Sequence, residues 1–148
     1  MPLNSGLRSP YDRVGGLVYF GRMLDKIRLH AAGKLHPDYH ANVGKGFDFR
    51  CAEHLGVPYE EIVKRTLEGG TDDEVLAWCR EKGGSRTEIQ IEMWNCFLMK
   101  RGWRDSVSDV VQKRIVEYGL QGKQAETFFD LLDYDEGRDP SVDKPLKV

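Results

Sequence analysis

Glycine interrupts this chain almost wherever an amphipathic stretch would otherwise run on, and that punctuation restricts it to short helices. Between the breaks, apolar residues recur at three- and four-residue spacing, and no segment alternates apolar and polar for long. The spacing predicts a first helix over residues 14–32, with Leu17, Phe20, Leu24, Ile27 and Ala31 on one stripe. Ser9-Pro10 reads as its N-cap and first-turn proline, Gly15-Gly16 as a site of close helix packing, and Gly33 as its stop. Phe47, Cys51 and Leu55 mark a helix ended by Gly56; Pro58 opens another that stops before Gly69-Gly70. Thr71 with Glu74, and the Ser85-Arg86-Thr87-Glu88 segment, read as two capping boxes. Val107, Val111 and Ile115 mark a further helix; Gly119 and Gly122 link it to a last one carrying Ala125, Phe128, Phe129 and Leu132. We therefore expect an all-α, compact single domain of about six or seven short helices over residues 7–139. Residues 140–148 read as a frayed tail.

A chain of 148 residues is long enough for one self-supporting core. With 40% hydrophobic and 31% charged residues it is neither disordered nor fibrous. Lys and Arg number 22 against 24 Asp and Glu, a net charge of -2 that argues against generic nucleic-acid affinity. Cys51, Cys79 and Cys96 are odd in number and widely separated, so we expect buried free thiols in a reducing cytoplasm rather than a disulfide framework. No apolar run is long enough for a membrane span.

Several segments in order carry a family likeness. LRSPYDRVGGLVYFGRMLDKIRLHAAGKL, then GFDFRC, HLGV, GGTDDEVLAWC, MWNCFLMKRGW and TFFDLLDYDEGR together resemble a bacterial family of domains of unknown function, number 5069. The likeness runs from about Leu7 to Asp139 and departs locally at His36-Pro37. It implies a single compact domain; it brings no activity and no catalytic residue with it.

Chemistry must be sought in the charges. Residues 1–50 carry twice as many basic as acidic side chains, so an anion would be best received there. On the predicted first helix Arg22, Lys26 and Arg28 outnumber Asp25. Buried cations need an answer, either carboxylates from other helices or a bound oxyanion. We expect an anion-accepting recess for a small phosphate or carboxylate. Arg22, Lys26 and Arg28 supply charge in this reading, Asp25 orients an Arg, and Lys45 in Gly44-Lys45-Gly46 closes the mouth with His40. A second reading is a small enzyme using His40 or His54 as acid–base beside Asp48. A third is an adaptor using the Lys100–Arg104 corner, whose Trp103 would stack a base, or the Gly119–Gly122 link; against it, a Trp at such a corner is more often buried to close a helix end.

No metal and no cofactor is expected. Cys51 with His54, and His36 with His40, match no closed metal pattern. The acidic run Asp133, Asp135, Glu136 and Asp139 fails the EF-hand count, because Gly137 falls fifth and Lys144 twelfth from Asp133. It reads as a solvated terminus.

Overall fold

Gly15 and Gly16 bend the chain into a hairpin and delay the first helix. In the computed structural model, which describes residues 5–143, β1 (Arg13–Val14) and β2 (Leu17–Val18) pair antiparallel, with Val14 opposite Leu17. Both glycines have positive φ, 56° and 81°. A two-residue loop needs that handedness to match the strand twist. Asn95 then closes the edge: its Oδ1 accepts from Val18 N–H at 3.0 Å and its Nδ2 donates to the Gly16 carbonyl at 2.8 Å. The domain is thus mostly helical with one small sheet, a correction to the purely all-α expectation.

The first helix, α1, spans Phe20–Ala31 and begins only after Tyr19, whose φ of 72° is left-handed. Ser9 does not cap it; the Ser9 hydroxyl donates instead to Asp133 at 3.0 Å. A 3-10 turn follows at Pro37–Asn42, then α2 (Phe47–Leu55), α3 (Tyr59–Leu67), α4 (Asp72–Gly83) and α5 (Glu88–Lys100). The last three are α6 (Ser108–Glu117), α7 (Phe128–Asp135) and α8 (Pro140–Asp143). The tail expected to fray therefore starts with a turn of helix; residues 144–148 lie outside the described residues.

The Thr71–Glu74 capping box forms as read. The second box is Thr87 with Gln90, two residues later than expected. Arg86 is occupied elsewhere: it folds back and donates to the His54, Gly83 and Gly84 carbonyls. Gly83 itself packs backbone to backbone on Leu55, so that a Cβ there would overlap the Leu55 carbonyl.

Helix α1 lies at the centre, against the hairpin strand β1 and α3, while α5 packs on β2 and α7. Its buried face carries Phe20, Met23, Leu24 and Ile27, joined by Ile62, Leu76, Leu98 and Phe129 from other helices. Each such side chain contributes roughly 1.5–3 kcal/mol of hydrophobic stabilisation. Ala31, assigned to the same stripe from spacing, is exposed. A second cluster of Val111, Leu120, Ala125 and Leu131 joins α6 to α7.

The acidic run is not a solvated terminus. Asp133 and Glu136 are both buried. Asp133 accepts from Ser9 and Arg138, and Glu136 from Arg22, Tyr39 and Arg138. Their partners on the N-terminal third lie 97–124 residues away in sequence, so local composition carries no sign of them. Arg138 also donates to the Leu7 carbonyl, clasping the N-terminal segment to the end of α7. Trp103, expected to be buried, is 45% exposed with the Arg104 guanidinium over its ring.

Candidate functional site

The cations of α1 find partners inside the protein. Arg22 is 2% exposed and grips Glu136 with both terminal nitrogens, at 2.8 and 2.6 Å, while also donating to the Arg8 carbonyl at 3.0 Å. Burial pushes the Glu136 carboxyl up, but the Arg22 hydrogen bond and charge, with Tyr39 and Arg138, outweigh it and hold the group below the usual range. Lys26 Nζ lies 2.9 Å from Asp48 Oδ2. Asp48 is wholly buried and also accepts from the Tyr19 hydroxyl at 2.7 Å and Gly44 N–H at 3.0 Å. Burial lowers the Lys26 pKa, which Asp48 only partly offsets.

Arg28 and Asp25 stand on another side of the helix. Arg28 reaches Asp72 at 2.7 Å, and Asp25 accepts from the Arg8 backbone and guanidinium, with Arg8 also bound to Asp72. Asp25 therefore orients Arg8 and none of the α1 cations.

Arg22 and Lys26 nevertheless form the floor of a recess of about 420 Å3, within the range of roughly 300–1,000 Å3 usual for small-molecule sites. Lys45, Gly46 and Arg50 enter its wall from the loop before α2 and the first turns of that helix. Gly46 is the N-cap and offers no side-chain cap, so the positive end of α2 is turned toward the recess wall. Arg101 comes from just beyond α5, and Arg114 from α6.

The aromatic lining is equally mixed in origin: Tyr39 from the 3-10 turn, Phe47 from α2, Phe97 from α5, Tyr118 after α6 and Phe128 from α7. Arg101 lies over the Phe97 ring at 5.4 Å and Arg114 over Phe128 at 5.7 Å.

Charge in this recess is unequal. Arg50 pairs with Glu53 at the surface, and Arg101 with Asp105 in a partly buried contact. Among the described residues, Lys45 and Arg114 have no carboxylate partner. Asp135 also lines the recess, and burial followed by the nearby Glu136 charge raises its pKa.

Of the six residues singled out from sequence, Arg22, Lys26 and Lys45 thus meet at one recess, whereas Asp25, Arg28 and His40 do not line it. His40 bonds through Nε2 to the Leu35 carbonyl at 2.9 Å, with its ring against His30. His54 stacks on Trp94 at 4.9 Å between ring centres. Neither histidine is among the hydrogen-bond partners of Asp48. Sequence reasoning missed Arg50, Arg101 and Arg114, which carry no motif. Arg101 was grouped with a surface corner, and Arg114 is one cation on a charged face.

Among the described residues no group of three His, Cys, Asp or Glu is placed to hold a metal ion, and no helix is long and apolar enough to cross a membrane. A family model described as domain of unknown function (DUF5069) matches residues 4–138. No curated protein matches the chain.

Proposed function

We propose that this chain, which belongs to the DUF5069 family, is a cytoplasmic binding module that takes a small organic anion in the recess between α1, α2, α5, α6 and α7. The observation that carries the reading is the pairing of uncompensated Lys45 and Arg114 with an aromatic-lined cavity of about 420 Å3. The floor cations Arg22 and Lys26 are each answered by a buried carboxylate, so the free ones at the wall receive the ligand's charge. Free cysteines, two of them buried, support a reducing compartment.

A thermal scan with inorganic phosphate, ribose 5-phosphate and hexyl phosphate tests the reading. A ligand at about 100 times its Kd stabilises by roughly 2.7 kcal/mol. Lys45→Gln/Arg114→Gln alters only exposed side chains, so its unliganded melting should stay close to wild type while the anion response disappears. Wild-type melting indifferent to every anion, or an unchanged response in the double variant, would overturn the reading.

A further inference from the structure

We infer that the anion this recess takes is a phosphate joined to a planar heteroaromatic ring, in the manner of a nucleotide; the inference rests on the anion-binding reading above. Three features of the cavity point there. The first is the charge. Lys45 and Arg114 together offer two positive charges without carboxylate partners among the described residues, which suits a phosphate dianion better than a single carboxylate.

The second is where the remaining cations sit. Lining charge comes from α1, the loop before α2, α2 itself, the end of α5, and α6. Between these cations the wall is aromatic and aliphatic, with Val107, Leu131 and Leu132 beside the rings, so a bound group meets guanidinium and apolar surface side by side. A flat π-system suits that alternation, because it stacks on a guanidinium plane as readily as on a phenyl ring.

The third is the state of the rings. Phe97 and Tyr118 line the cavity from the α5 side and the α6 side, 48% and 38% exposed. Neither is among the ring pairs that tie Tyr19, Phe47, Phe128 and Phe129 together. The inner rings are thus engaged with one another, whereas Phe97 carries the Arg101 guanidinium on its ring and Tyr118 has no ring partner among the described residues, so both present exposed ring surface to solution. Stacking of a base on one aromatic side chain tightens binding by roughly five- to 150-fold.

Calorimetric titration with adenosine 5′-monophosphate, ribose 5-phosphate, hexyl phosphate and inorganic phosphate separates this inference from the one beneath it. A short oligoadenylate in a fifth arm tells a free nucleotide from the end of a single strand. The expected order is adenosine monophosphate tighter than ribose 5-phosphate by at least fivefold, with hexyl phosphate no better than the sugar phosphate. Phe97→Leu and Tyr118→Leu, both at exposed positions, should each erase part of that margin and leave ribose 5-phosphate binding unchanged. Equal affinity for the nucleotide and the sugar phosphate, a preference for hexyl phosphate, or indifference to both ring variants overturns the planar-ring inference and leaves the anion site standing. Failure of every phosphate to bind removes both.

Discussion

Replacing Arg22 with Met is the most informative perturbation of this fold, because Arg22 is where the floor of the recess meets the end of α7. The substitution keeps an unbranched apolar side chain of similar reach and deletes three charge-assisted hydrogen bonds, two to Glu136 and one to the Arg8 carbonyl. Among the described residues it leaves a buried carboxylate answered by Tyr39 and Arg138 alone. Breaking one side of a buried ion pair costs about 3–5 kcal/mol. At roughly 2–4 °C per kcal/mol for a chain of this size, Tm should fall by about 6–20 °C. The pH response should change with it. The Glu136 carboxyl is held below its unfolded value, so its contribution is complete above the ordinary glutamate range and lost as pH falls through its lowered folded pKa. Arg22→Met should therefore lose most stability at neutral pH and converge on wild type in acid. Urea unfolding at pH 7 and below pH 4 measures both. Arg22→Met/Glu136→Leu, which removes both charges, should recover most of the loss. A neutral-pH loss under about 1 kcal/mol, or a double variant no better than the single, would refute the account.

Three further outcomes are expected. Burial and the nearby Arg86 charge lower the His54 pKa, so the unfolded chain takes up its proton first as pH falls below 6.5; stability should drop there, NMR titration should place His54 below 6.5, and His54→Phe should remove that part of the drop. Gly83→Ala puts a methyl into the Leu55 carbonyl and should cost about 1–3 kcal/mol as overpacking, read by chemical denaturation; stability equal to wild type would mean α2 and α4 can part freely. Burial pushes the Cys51 thiol up and that of Cys79 to about 11, whereas Cys96 is only half-buried, so a native thiol titration at pH 8 should label Cys96 alone.

Much of the helical framework was legible from glycine and capping chemistry. The α2 stop at Gly56 and the Thr71–Glu74 box follow from residues within four positions of each other, and local rules reach that far. The start of α1 was misplaced because an apolar period runs unbroken through Leu17 and Phe20, while the backbone preference of Gly15-Gly16 overrides it. At the site, the cation surplus on α1 was visible but its answer was not. Arg22 and Glu136 stand 114 residues apart, and an acidic run near a terminus has the same composition whether buried or wet. Arg114 was invisible for the converse reason: on α6 it looks like any surface charge, and only the approach of α7, placing Phe128 beneath it, makes it a lining residue.

The clasp between the two ends of the domain bears on how the chain is made. Arg22 leaves the ribosome 114 residues ahead of Glu136, a delay of roughly 6–23 s at bacterial and eukaryotic elongation speeds of about 5–20 residues per second. For that interval α1 can collapse against α3 and the hairpin, but its guanidinium has no carboxylate to close on, and the Tyr39 hydroxyl and Leu7 carbonyl wait for the same segment. The nascent domain should remain open along this seam, vulnerable to proteases and to chaperone capture, until the TFFDLLDYDEGR stretch emerges and locks it in one late step.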